Sequence, residues 1–200
     1  MHKRLIMLLL SMLLLTTGRA AAQIAWDAPY LVPPAAPPGF GLYLMDVHGG
    51  GLGVMGAWRS RTGSYGLRAG IAEARGDDIG AFGGVDFSGR ITRANSDFPL
   101  DVDWVFGAGL GGADWVRVSV PLGLTLGHTF RGDGATFIPY ITPRIILDAA
   151  FDRGPDDDTD TDLGLAVDLG LDLRFPRTGF IVRFGASLGD RDAVAIGVVF

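Results

Sequence analysis

The chain contains no cysteine. This excludes disulfide staples, thiolate metal centres and attachment of a lipid to an amino-terminal thiol. Lysine is almost missing as well, with Lys3 the sole instance. A soluble β-protein ordinarily sets lysines along its exposed edges, although arginine-biased codon usage would produce the same shortage. Only three histidines are present, too few and too scattered to suggest a metal cluster or a catalytic dyad. After Leu15 no apolar run is long enough for a membrane helix, and no segment shows helical periodicity.

The chain does hold a tripartite amino terminus. His2, Lys3 and Arg4 form a basic head, Leu5 to Leu15 an apolar core, and Ala20-Ala21-Ala22 a small-residue end ahead of Gln23. That plan predicts a secretory signal peptide over residues 1–22, cleaved near Ala22. Its removal takes three of the 17 basic residues and none of the 22 acidic ones. The excess of negative charge argues against nucleic acid as a partner. Residues 23–39 carry Pro29, Pro33, Pro34, Pro37 and Pro38. Prolines deny a segment both helix and interior strand, so this stretch is expected to be a linker to a single β-domain over 40–200.

Within that domain, apolar and polar or small residues alternate with period two, as strands with two unlike faces do. From Trp115 to Thr129, Val116, Val118, Val120, Leu122, Leu124 and Leu126 oppose Arg117, Ser119, Pro121, Gly123, Thr125 and Gly127. From Asp162 to Phe175, Leu163, Leu165, Val167, Leu169, Leu171 and Leu173 oppose Gly164, Ala166, Asp168, Gly170, Asp172 and Arg174. Segments 100–110 and 179–188 repeat the arrangement, 65–74, 81–91 and 136–147 do so less clearly, and 192–200 closes the series. Two poorer candidates, 40–47 and 52–58, bring the expected number to ten strands, or eight if they lie outside the wall.

A soluble barrel with its apolar face inside would alternate in the same way, so other features must decide. The polar parity is rich in glycine, which suits a crowded lumen and only weakens a strand facing water. Several strands run to ten or more residues, which matches the roughly 9–11 that cross a bilayer at a tilt. Alternating strand direction backward from Phe200 also collects Trp58, Tyr65, Phe137, Phe175, Phe180 and Phe200 at one common end, on the apolar parity. An interfacial aromatic belt requires this placement, and core packing in a soluble protein does not.

The strand charges agree. An arginine on a lipid face at mid-membrane costs about 2–4 kcal/mol, so Arg68, Arg90, Arg117, Arg144, Arg174 and Arg183 are expected inside. There they meet Asp86, Asp101, Asp103, Asp168 and Asp172. This near-balance predicts a mutually paired network filling the lumen rather than a charge-selective pore.

Only Ala150 to Thr161 reads as a long connection. Its Asp158, Asp160 and Asp162 are spaced like the start of an EF-hand, but Leu163 and Leu169 stand where the turn glycine and the bidentate acid belong. That departure removes the calcium-loop reading. Gly49-Gly50-Gly51-Leu52-Gly53 precedes no strand–helix unit, so it is not a phosphate cradle. His128 has no serine nearby and His48 no partner, so no nucleophile–base–orienter set can be assembled.

The terminal strand ending in Phe200, together with Val120-Pro121-Leu122-Gly123-Leu124 and Phe137-Ile138-Pro139-Tyr140-Ile141-Thr142-Pro143, resembles the small bacterial outer-membrane β-barrel domain proteins over residues 40–200. The resemblance implies a closed antiparallel transmembrane barrel in the outer membrane of a Gram-negative-type bacterium. It also implies outer-membrane lipids as neighbours, the aromatic end in the periplasm, and recognition by the barrel-assembly machinery through the strand ending in Phe200. It carries over no functional residue. The expectation is a structural or surface role without cofactor or catalysis. The alternatives are a small passive pore, a lipid-modifying enzyme and a soluble ligand-binding barrel.

Overall fold

The computed structural model describes residues 24–47, 51–74, 78–113, 116–151 and 159–200. The expected signal peptide and its cleavage site, His48, and Asp156 to Asp158 of the acidic connection lie outside these residues.

Strands form where the alternation predicts them: β1 (Gly39–Val47), β2 (Leu52–Arg59), β3 (Tyr65–Glu73), β4 (Ile79–Thr92), β5 (Asp101–Gly112), β6 (Val116–Gly127), β7 (Phe130–Arg131), β8 (Thr136–Phe151), β9 (Thr159–Arg174), β10 (Ile181–Gly189) and β11 (Ala193–Val199). Each long strand pairs antiparallel with its neighbour in sequence. β1 pairs with β11, and β6 pairs with β8, which leaves no free edge. Ten long strands thus close a barrel, and the two-residue β7 rests on the start of β8. The weakly alternating β1 and β2 belong to the wall, so the eight-strand alternative is excluded.

Two prolines interrupt the ladder on either side of β6. The β5–β6 pairing skips from Phe106↔Leu122 to Gly109↔Ser119 around Pro121. The β6–β8 pairing skips from Gly123↔Arg144 to Leu126↔Ile141 around Pro143. Proline offers no N–H to a ladder, and register is kept across both gaps.

The two faces of the wall are inverted relative to a water-soluble barrel. On β8, Phe137, Ile141, Ile145 and Leu147 face outward, while Ile138, Tyr140, Thr142, Arg144, Ile146 and Asp148 are buried inside. The other strands repeat the pattern, with Leu42, Leu44, Val54, Leu67, Leu110, Leu122, Leu124, Leu165, Val194 and Ile196 exposed. Charged residues on the outward parity of the strands, such as Asp46, Glu73, Asp160 and Asp162, stand at one rim. A continuous apolar exterior is far larger than the few hundred Å² that soluble monomers expose. Phe137 to Leu147 spans roughly 34 Å of strand, or about 26 Å of depth at a tilt of about 40°, the height of a barrel's lipid-facing band.

Aromatic side chains mark one end. Trp58, Tyr65, Phe137, Phe175, Phe180 and Phe200 all lie exposed there. Pairs on adjacent strands touch, with centroids 5.8 Å apart for Phe40–Phe200, 5.7 Å for Trp58–Tyr65 and 6.4 Å for the stacked Phe87–Phe106. The turns 60–64, 93–100 and 175–180 lie at this aromatic end.

The expected linker is not a linker. Residues 24–36 lie inside the ring of strands, where Ile24, Trp26, Asp27, Tyr30 and Val32 are essentially inaccessible. Ile24 packs near Gly80 and Gly111, away from the aromatic end, and Pro34 packs near Gly127 toward it. The segment therefore runs along the lumen before the chain turns into β1. The prolines that forbid regular structure also remove backbone N–H groups, which lowers the number of donors needing partners inside.

Candidate functional site

The lumen is where the polar chemistry of this chain collects. Glycines on the inward parity make the space. A Cβ at Gly84, Gly107 or Gly109 would fall within 2.2–2.6 Å of the Trp26 indole, and one at Gly185 within 2.0 Å of Leu31. Small residues on the wall thus become the sockets for large ones on the inner segment. The apolar side of that segment packs on Tyr43, Met45, Met55, Phe82, Val105 and Ile181. These inward apolar residues explain why β1 and β2 alternate so poorly in sequence.

Wall side chains answer the backbone of the inner segment. The Tyr30 N–H donates to Asp168 (3.1 Å) and the Ala35 N–H to Asp103 (2.8 Å). The carbonyls of Asp27, Pro29, Leu31 and Val32 accept from Arg144 (3.0 Å), Arg68 (3.3 Å), Arg183 (3.3 Å) and Thr125 (3.2 Å). Trp26 Nε1 donates to the Ser119 carbonyl (3.0 Å), and the Tyr30 hydroxyl to that of Phe106 (2.9 Å).

Ion pairs bind these parts together. Arg144, on β8, is central: its Nε donates to Asp168 (2.6 Å), its Nη1 pairs with Asp27, and its Nη2 reaches Ser187 (3.2 Å). Arg191 joins Asp27 (3.2 Å) to Asp148, both of whose oxygens lie 2.6 Å from its Nη2. Arg183 grips Asp172 through two bonds of 2.6 and 2.9 Å. Asp86 accepts from Arg68 (3.1 Å) and pairs with Arg59. A buried pair must recover a large desolvation cost, and removal of one partner strands the other. Most of these carboxylates meet that requirement with two or more donors.

The expected network residues take different places within this arrangement. Arg68, Asp86, Asp103, Arg144, Asp168, Asp172 and Arg183 are buried together in the lumen. Arg90 (3.9 Å from Asp103), Arg117 (3.9 Å from Asp148) and Arg174 (3.8 Å from Asp172) stand at longer range with partly exposed side chains. Asp101 accepts the Ala94 N–H (3.1 Å) and holds a turn. Sequence reasoning missed Asp27, Arg59, Asp148 and Arg191. Asp148 shares the parity of Arg144 and could have been found by extending that strand. Arg191 sits in a turn, and Asp27 in the supposed linker, where parity gives no signal.

No catalytic constellation is assembled among the described residues. His128 bonds the Pro99 carbonyl through Nδ1 and packs edge-on against Phe130, with centroids 4.5 Å apart. No group of three or more potential metal ligands converges among the described residues. The soluble-barrel alternative needs the leucine-rich faces inside, and they are outside.

No known family model matches the chain, and no curated protein matches it in sequence. Among solved structures, the chain is similar to Ail, the attachment invasion locus protein of Yersinia pestis, solved in complex with the heparin analogue sucrose octasulfate. The identity is 10%, the match covers 80% of this chain and 91% of that one, and the TM-score is 0.29. The fold assignment rests on strand pairing and on the direction of the two faces: this chain is a closed, ten-stranded antiparallel barrel, apolar outside and ion-paired within.

Proposed function

We propose that this chain is an outer-membrane β-barrel protein with a structural or surface role, its lumen closed by residues 24–36 and the paired Arg/Asp network. One observation carries the reading: the apolar side chains form the exterior and the charged ones the interior. That inversion is stable only if lipid surrounds the wall, since the bilayer core removes the reward for burying leucine and penalises an outward charge.

The inner segment supports a closed rather than conducting lumen. It contacts wall residues of β1, β3, β4, β5, β6, β8, β9 and β10, and it contributes a buried carboxylate, Asp27, to two arginines. Opening a path would break these bonds and take the Asp27 carboxylate from both Arg144 and Arg191. The acidic rim of Asp46, Glu73, Asp160 and Asp162 stands at the end opposite the aromatic belt, which the reading places at the cell surface. Export by residues 1–22 and recognition of the strand that carries Phe200 by assembly machinery complete the reading, with outer-membrane lipids as its neighbours.

The test is outer-membrane fractionation followed by gel migration of boiled and unboiled samples. A membrane-embedded species whose migration shifts on boiling is expected. Release in soluble form without such a shift would overturn the reading.

A further inference from the structure

We infer that residues 24–36 form an eleventh crossing of the membrane, inside the barrel, and that the chain on the amino-terminal side of Ile24 is displayed at the cell surface. The ten long strands alone, an even number, would leave both of their ends at the aromatic side. The irregular crossing puts the amino-terminal side at the opposite mouth from Phe200. Which mouth is the cell surface rests on the outer-membrane reading above; the opposition of the two ends does not.

Contacts with two parts of the wall fix the direction. Along β5 and its partner β6, Ile24 packs on Gly111, and Trp26 packs on Gly109 while its Nε1 donates to the Ser119 carbonyl (3.0 Å). Further down, the Tyr30 hydroxyl reaches Phe106 (2.9 Å), the Ala35 N–H reaches Asp103 (2.8 Å), and Pro34 packs on Gly127, which pairs with Asp101. On β10 and the turn after it the order is the same: Asp27 meets Arg191, while Leu31 packs on Gly185 and accepts from Arg183. Ten positions of the segment, 24 to 34, thus accompany ten of β5, 111 to 101. Ten strand residues rise roughly 33 Å, or about 26 Å of depth at a tilt of about 40°. An extended chain of ten residues reaches about 33–36 Å at most, so this one crosses once and has no length to double back.

Both ends of the crossing are tied. At the aromatic end Gly39, with φ +140° and the Phe200 carbonyl where a side chain would project, turns the chain into β1. The Phe40 N–H then donates to the Phe200 carbonyl (2.8 Å). Toward the other end, Arg144 and Arg191 hold Asp27, and the Trp26 indole occupies the space a side chain would take at Gly84, Gly107 and Gly109. A ring of that size seated in wall sockets cannot slide along a close-packed lumen. The wall therefore closes around the segment, and a short unfolded stretch preceding Ile24 is carried out with it.

The experiment places single cysteines in the full chain, expressed in cells and treated with a maleimide too bulky to enter the periplasm. One cysteine lies in a short hydrophilic insertion between Gln23 and Ile24. A second is Asp160→Cys, exposed at the far rim, and a third is Ser96→Cys, exposed in the turn at the aromatic end. The insertion and Asp160→Cys are expected to react fully on intact cells, and Ser96→Cys only once the outer membrane is opened. An insertion that reacts only when Ser96→Cys does overturns the inference. If Ser96→Cys reacts on intact cells and Asp160→Cys does not, the orientation reading fails, and the crossing stands only if the insertion still follows Asp160→Cys. Purified protein gives a second reading that needs no membrane. Ile24→Cys should form a disulfide with Gly80→Cys, and Pro34→Cys with Gly127→Cys, whereas Ile24→Cys with Gly127→Cys should not. The reverse pattern, or no disulfide in either expected pair, refutes the crossing.

Discussion

At the residue scale, Arg144 holds more of the lumen together than any other side chain, because it joins β8 to β9, to β10 through Ser187, and to the inner segment through Asp27. Arg144→Leu leaves two buried carboxylates short of a cation. Such removals cost about 3–5 kcal/mol, to be read as a lower urea midpoint for the protein in detergent or lipid. Asp27→Asn should cost less, because Arg144 keeps Asp168 and Arg191 keeps Asp148, although the single amide oxygen accepts from only one of the two arginines and the amide NH2 faces the other. Size matters as much as charge. Gly84 has the Trp26 ring where a side chain would project, so Gly84→Leu must displace the indole. The expected outcome is a loss of at least about 1–3 kcal/mol, with red-shifted tryptophan emission as the ring meets water.

At the scale of elements, β8 offers a clean test because the chain has no cysteine of its own. Single cysteines carrying spin labels at Phe137, Ile141, Ile145 and Leu147 should collide with oxygen dissolved in the bilayer. Labels at Thr142 and Ile146 should be shielded from both oxygen and water-soluble relaxants. A water-like signal at Ile145 would contradict the outward assignment. Ile145→Arg places a charge in the lipid band and should cost about 2–4 kcal/mol, seen as reduced folding yield into vesicles. The same strand shows what sequence makes legible. Parity alone sorts its faces, because lipid demands apolar residues at every second position. In β1 and β2 the parity signal weakens, since Tyr43, Met45 and Met55 point inward against the apolar inner segment. That clash, apolar residues on a lumenal face, was the available sign that something apolar fills the lumen. The prolines of residues 29–38 pointed the other way: the rule that excludes them from regular structure says nothing about whether an irregular segment is exposed or enclosed.

At the scale of the molecule, the barrel joins two halves that each need the other. The wall hides its charges from lipid, and the inner segment supplies the apolar surface and the Asp27 carboxylate that let those charges stay dry. Strand number, closure and facing were readable from alternation and aromatic placement, because they depend on local pattern. The filling was not, because it arises from contacts between positions more than a hundred residues apart, such as Asp27 with Arg144 and Arg191. The most direct test of this account is single-channel recording of the full chain in planar bilayers, with insertion verified by heat-modifiable migration of the recovered protein. A filled, ion-paired lumen predicts inserted protein with no stepwise conductance. Stable, reproducible open steps from the unmodified protein would contradict it, and would make the barrel a pore.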